Sequence, residues 1–289
     1  VQFCFLLLLM LSRGGRVCPA ATDELFGALR VYPRCKSKVS GKSNSPAGGE
    51  HQSTTHRTAG PKLRVLCLHG YVQNGEVFRD KTGAARKAMK GCEFVFPDAP
   101  HTVAPFDNAP DADVGVGPRG WWHTGQKPTI QGQWVRPAMA RTCSGWEDGL
   151  ASAREDARTH GPFDGVFAFS QGCAVATALL REAAQGTLEP LASVRFAVLV
   201  GGFVPRDAQV ASTLGGAPLS VNALLVSGGA DELIPRPRSE ALADLFDPAG
   251  VHWFDHPGRH GIPTCTSAFR TCLQQLLAQS NVHSEQTRV

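Results

Sequence analysis

The stretch from Gly161 to Leu180 leaves this chain few choices of fold. After the breakers Gly161 and Pro162 comes an apolar run, Val166, Phe167, Ala168 and Phe169, of the kind that forms a strand covered on both faces. Ser170 follows at once, and from Gly172 to Leu180 the residues are small, or aliphatic at spacings a helix accepts. A strand, a sharp turn and a close-packed helix are thereby compressed into one segment. The Ser170 hydroxyl stands at the strand's carboxyl end, with the helix amino end facing it. Small residues two before and two after a serine are what a strained strand-to-helix turn needs if the hydroxyl is to stay exposed. Gly172 fills the later position and Ala168 the earlier one, where the G-x-S-x-G pattern has glycine. The competing reading of so short a motif is a serine that caps a core helix, and only the rest of the chain separates the two.

The rest of the chain repeats the same unit. A strand is expected over 63–68, followed by a glycine-bearing turn from His69 to Gly75 and a helix over 76–90 with Val77, Phe78, Ala85 and Met89 on its apolar face. A second strand over 92–96 closes at Pro97. The stretch that follows, as far as Gly145, is rich in Pro and Gly and carries Trp121, Trp122 and Trp134; an irregular insertion of that length serves as a lid or binding loop, or is disordered, and the tryptophans point to a lid. A polar-faced helix over 146–160 leads into the serine strand. Further strands are expected over 194–200, 219–226 and 251–254, with helices over 238–246 and 264–278. Strands alternating with helices predict a mostly parallel, doubly wound sheet with helices on both faces. Ligands of such sheets bind at the carboxyl ends of the strands.

The termini are of another kind. Residues 1–11 are almost wholly apolar and are followed by Arg13 and Arg16; the run is too short to span a bilayer, so 1–21 reads as a targeting segment or a gene-model artefact. From Arg34 to Lys62 the sequence is rich in Ser, Gly, Thr, Lys and Pro and cannot bury enough surface to offset chain entropy, and 22–62 is expected to be a low-complexity, disordered linker. The folded unit is expected over 63–280 and a tail over 281–289. A cytoplasmic location is expected, with organellar or secretory targeting left open by the apolar start, and no stable membrane insertion of the folded unit.

Charge and cysteine usage exclude several classes. The net charge is only +4 over 289 residues and the basic residues are dispersed, so no nucleic-acid partner is expected. Nine cysteines make an odd, irregularly spaced set, and Cys67, Cys92 and Cys173 fall in core-like runs. With neither C-x-x-C nor H-E-x-x-H present, no metal and no cofactor are expected.

Ser170, Asp231 and His260 each follow a different expected strand, in the order nucleophile, acid, histidine, which is the order of the α/β-hydrolases. The chemistry needs all three. A serine hydroxyl is a poor nucleophile until a neutral imidazole takes its proton, and a carboxylate must fix the imidazole tautomer and stabilise its cation. Backbone N–H groups of Tyr71 and Gln171 stand where an oxyanion would need donors. Alternatives remain: Asp255 or Glu232 for the acid, His256 for the base, and Ser227 as a weaker serine; His69 reads as a structural residue of the turn.

These residues and others around them resemble the serine hydrolase FSH family of α/β-hydrolases. The carriers are Leu66 to Tyr71 with Asn74 and Gly75, Phe96 to Pro100, Arg119 to Trp122, Gly161 to Gly165 leading to Phe169 to Gly172, Gly202 with Phe203, Asp231 with Ile234 and Pro235, and Gly258 to Pro263. The resemblance spans about 63–277 and implies Ser170 as nucleophile, Asp231 as acid and His260 as base. It implies hydrolysis of small-molecule carboxylic esters or thioesters, often with acyl chains, and makes Trp121, Trp122 and Phe203 candidate pocket walls; anchoring of the loop is the alternative role for the two tryptophans. Two departures stand out, Ala168 for the elbow glycine and Arg259, a positive charge beside His260, where the family pattern has a second glycine. They keep two further readings open: an acyl-protein thioesterase or phospholipase-like hydrolase, and a non-catalytic binding protein on the same scaffold.

Overall fold

The computed structural model describes residues 62–104, 117–123 and 140–286, with side chains up to Ser280. The expected targeting segment, nearly all of the expected linker, Trp134 with most of the expected lid, and the last residues of the expected tail lie outside the described residues.

The strands are β1 (Leu63–Leu68), β2 (Cys92–Val95), β3 (His101–Thr102), β4 (Arg119–Gly120), β5 (Gly165–Phe169), β6 (Phe196–Val200), β7 (Asn222–Gly228) and β8 (Val251–His256). The helices are α1 (Gly75–Lys81), α2 (Gly83–Ala88), α3 (Trp146–His160), α4 (Gln171–Ala184), α5 (Ala208–Leu214), α6 (Arg236–Ala243) and α7 (Ser267–Gln286). Six strands form one sheet in the order β2-β1-β5-β6-β7-β8, all parallel, and β3 pairs antiparallel with β4 in a separate ribbon. Strands joined in parallel must send their connections over the faces, and two apolar layers result. On one face Val166, Ala168, Leu199 and Leu225 meet Trp146 and Leu150 of α3, the small residues of α4 and Leu242 of α6. On the other, Cys67, Phe167, Val198 and Leu224 meet Phe78 of α1, Ala85 of α2 and Phe269 and Leu273 of α7. This is an α/β-hydrolase fold, with β5 central and buried along its whole length.

Local chemistry explains where the observed elements depart from expectation. The helix expected over 76–90 is two, because the Thr82 hydroxyl donates back to the Phe78 carbonyl at 2.8 Å and ends α1, and α2 restarts at Gly83. Val77, expected on the apolar face, is 37% exposed and Phe78 carries the packing. Strand β7 begins at Asn222 rather than Leu219, which instead forms an isolated bridge with Phe246. Helix α5 was not expected; the Asp207 carboxylate caps it by accepting from the Gln209 and Val210 N–H groups. Helix α7 continues to Gln286, beyond the expected end at Ala278.

Candidate active site

Ser170 leaves β5 with φ 51° and ψ −115°, a conformation that costs a non-glycine residue roughly 1–3 kcal/mol and persists only where the surroundings impose it. The surroundings here are the sheet and α4. The Ser170 N–H donates to Val200 O at 2.9 Å, and the helix begins at the next residue. Gly172 permits the turn, since a Cβ there would lie 2.3 Å from Leu68 O and 2.7 Å from His69 O. Ala168, in contrast, sits fully buried in register between Leu68 and Leu199, and its methyl group is part of the core layer. The nearby thiol of Cys173 is buried, which pushes its pKa up and makes it a poor rival nucleophile.

Asp231 and His260 lie beside this serine. His260 Nε2 is 2.8 Å from Ser170 Oγ, and His260 Nδ1 is 2.7 Å from Asp231 Oδ2. The other carboxylate oxygen of Asp231 accepts from the N–H groups of Leu233 and Ile234, at 2.9 and 2.8 Å, which aims Oδ2 at the ring. An ionised carboxylate only accepts. The proton therefore rests on Nδ1, and Nε2 presents its lone pair to the serine hydroxyl. Of the rivals, Asp255 pairs with Arg236, His256 Nδ1 accepts from the Gly258 N–H, and Glu232 is exposed. Ser227 is buried within β7.

Sequence reasoning missed what seats the imidazole. Gly201, at φ 55°, has a bare Cα where a Cβ would stand 2.8 Å from His260 Cε1 and 3.0 Å from Nδ1. The Phe169 ring lies against the imidazole, 4.9 Å between centroids and tilted by 32°. The loop carrying His260 is laid on the turn before Asp231 through Gly229 N–H to His256 O (2.7 Å) and Ala230 N–H to Gly258 O (3.1 Å). Gly228 allows that approach, because a Cβ there would meet Gly258 O at 2.6 Å and Arg259 O at 2.7 Å. The Arg259 side chain is exposed. Glycines at these strand ends are visible in the sequence, but nothing local tells which loop they admit.

The turn after β1 holds Tyr71. His69 is buried there, its Nε2 accepting from the Ala99 N–H at 3.0 Å and its Nδ1–H donating to Gly70 O at 2.8 Å. Burial pulls this imidazole from its ordinary 6.5 down to about 4, so it stays neutral and structural. Trp121 and Trp122 are buried to within 1% of full enclosure, and the Trp121 indole N–H donates to His69 O at 2.9 Å. Trp122 packs edge-on against Trp146 and Phe203. Of the two roles open to the tryptophans, this burial favours the anchoring one, and Phe203 is buried in the same core layer. Gln171 is buried too, its side chain bonded to the main chain of Trp121 and Trp122.

Among the described residues no helix is long and apolar enough to cross a membrane, and no group of three or more His, Cys, Asp or Glu could hold a metal ion.

A family model described as serine hydrolase (FSH1) matches residues 58–271. Esterase OVCA2 of Homo sapiens is 38% identical over 209 residues, covering 70% of this chain and 89% of its own. Esterase OVCA2 of Bos taurus is 37% identical over 213 residues, covering 71% and 91%. Among solved structures, Zea mays acyl-protein thioesterase 2 is similar at a TM-score of 0.49 and 16% identity, covering 78% of this chain and 97% of that one.

Proposed function

Because the chain belongs to the serine hydrolase (FSH1) family, we propose that it cleaves carboxylic esters or thioesters of small molecules through an acyl-enzyme on Ser170, with His260 as base and Asp231 as its orienting acid. The observation that carries the reading is the continuous chain from Ser170 Oγ to His260 Nε2 (2.8 Å) and from Nδ1 to Asp231 Oδ2 (2.7 Å), closed on a serine in a strained turn. That the similar relatives are named esterases supports it.

Each step follows from the hydrogen positions. Nε2 takes the Ser170 proton as Oγ bonds to the carbonyl carbon, and the carbonyl π pair moves onto oxygen. That oxyanion is met by the backbone N–H groups of Gln171, at the start of α4, and Tyr71, in the turn after β1. As the tetrahedral species collapses, Nε2–H gives its proton to the departing alkoxide or thiolate, leaving the acyl group on Oγ. Water then repeats the sequence: His260 removes its proton, the acid leaves, and Ser170 regains its hydrogen. Asp231 faces the imidazolium in both halves and remains a carboxylate throughout.

The test is a panel of p-nitrophenyl esters and matched thioesters of increasing chain length, with a fluorophosphonate label run in parallel. Turnover and labelling should both appear, and Ser170→Ala should abolish labelling and reduce turnover by about 10⁴ to 10⁶. Turnover that survives that substitution would sink the assignment. The chain-length profile and the ester-to-thioester ratio distinguish a general esterase from a thioesterase or phospholipase-like enzyme.

A further inference from the structure

The Gln171 side chain does a separate job from its backbone. This amide is buried, with only 2% of the residue exposed, and both ends are used: Oε1 accepts from the Trp121 N–H at 2.7 Å, and Nε2 donates to Trp122 O at 2.9 Å. It pairs with that segment as a neighbouring strand would. The same short segment reaches the other side of the site. Val72 N–H donates to Arg119 O at 2.9 Å and Arg119 N–H to Gln73 O at 2.7 Å. A Cβ on Gly120 would lie 2.9 Å from the Tyr71 ring, so the ring rests on bare backbone there. The Trp121 indole adds a third tie, to His69 O at 2.9 Å. Behind the segment stands α3, where a Cβ on Gly149 would strike Trp121 O at 1.8 Å, so the brace has a wall at its back.

Residues 119–122 are thus bonded at one end to the turn bearing Tyr71 and at the other to the first residue of α4. The β1–β5 pairing ends at Leu68 and Ala168; past it the two turns touch through packing, Gly70 on Phe169 and Ser170, and Gly172 on the Leu68 and His69 carbonyls, and the 119–122 segment adds hydrogen bonds to both. We propose that the Gln171 side chain is a positioning residue, which clamps the 119–122 segment and through it fixes the separation of the Tyr71 and Gln171 backbone N–H groups. The inference rests on the proposed hydrolase reading, in which those two groups meet the oxyanion. A donor displaced by an ångström loses much of its worth to the transition state while the ground state scarcely notices.

The test compares an oxygen ester with its thionoester, because a thiocarbonyl sulfur accepts hydrogen bonds weakly and draws less from the donors. Gln171→Met keeps the length and removes both polar ends. It should lower kcat/KM for the oxygen ester on the order of 10²-fold, through kcat rather than KM, while the thionoester rate falls far less. Affinity for an alkyl trifluoromethyl ketone, whose hemiketal carries the same oxyanion, should fall alongside. Gln171→Asn, which keeps both polar ends but draws them back by one methylene, should lie between wild type and the Met variant and carries the test if the Met variant fails to fold. A variant with a lower Tm but an unchanged oxygen-to-thiono ratio has lost only stability, and the proposal fails. Ser170→Ala separates this failure from that of the parent reading: ester turnover surviving in Ser170→Ala overturns the hydrolase assignment, and the clamp's role with it.

Discussion

The serine turn and the histidine loop bring their side chains to one point by opposite means. Ser170 is held by its own neighbours in sequence: β5 is buried throughout, α4 starts at the next residue, and Gly172 lies against the end of β1. His260 is held by strangers. Its loop is largely exposed and takes its position from Gly201 at the end of β6, from Gly228 to Ala230 at the end of β7, and from the Phe169 ring at the end of β5. Strain and burial make the first region rigid from within, whereas the second is rigid only as far as the surfaces it rests on. Damage to the serine turn should therefore cost fold and activity together, and damage to the histidine loop activity first.

The sharpest break in that contrast is Asp231→Asn. The backbone N–H groups of Leu233 and Ile234 require an oxygen where Oδ1 stands, so the new NH₂ must face His260 Nδ1 and drive the ring proton to Nε2. A ring protonated there cannot accept from Ser170. Turnover should fall by about 10⁴ with Tm almost unmoved, and full activity in a folded Asp231→Asn protein would contradict the tautomer argument.

Acid tests the other side. His69 has its pKa pulled by burial from 6.5 to about 4, so the fold favours its neutral form. The contribution is complete above pH 6.5 and is lost as pH falls toward 4, amounting to on the order of 3 kcal/mol. Urea melts at pH 7 and pH 4.5 should show a drop in wild type that is smaller in His69→Gln; equal drops would mean that His69 is not the group responsible. Next comes Gly201→Ala, which places a methyl against the imidazole and strains a left-handed residue. It should lower kcat about 10²-fold and stability by about 1 kcal/mol. Least of all, Val77→Ser, at a position 37% exposed, should change stability by no more than about 0.5 kcal/mol.

The same contrast explains what was legible in the sequence. The turn at Ser170 is written in consecutive residues, and the parallel sheet in the recurrence of short apolar runs between helices. That Asp231 and His260 meet Ser170 depends on Gly201 and Gly228 accepting a loop from elsewhere, and such a constraint has no period and no fixed spacing. The break at Thr82 was hidden because a hydroxyl that bonds back to Phe78 looks, in sequence, like any polar residue on a helix face. The burial of Trp121 and Trp122 was hidden because an indole can serve as a wall or as an anchor, and only its neighbours decide.

Ala168 has a consequence outside the native state. Its methyl group fits within the core layer, and its backbone is that of an ordinary strand residue, so an alanine here gives up nothing in the folded molecule that a glycine would supply. The gain lies in the denatured ensemble, where alanine roams over fewer conformations than glycine and so has less entropy to surrender on folding, a difference of about 0.4–1 kcal/mol. The departure from the elbow pattern is, on this reckoning, a stabilising substitution that acts before the protein has folded.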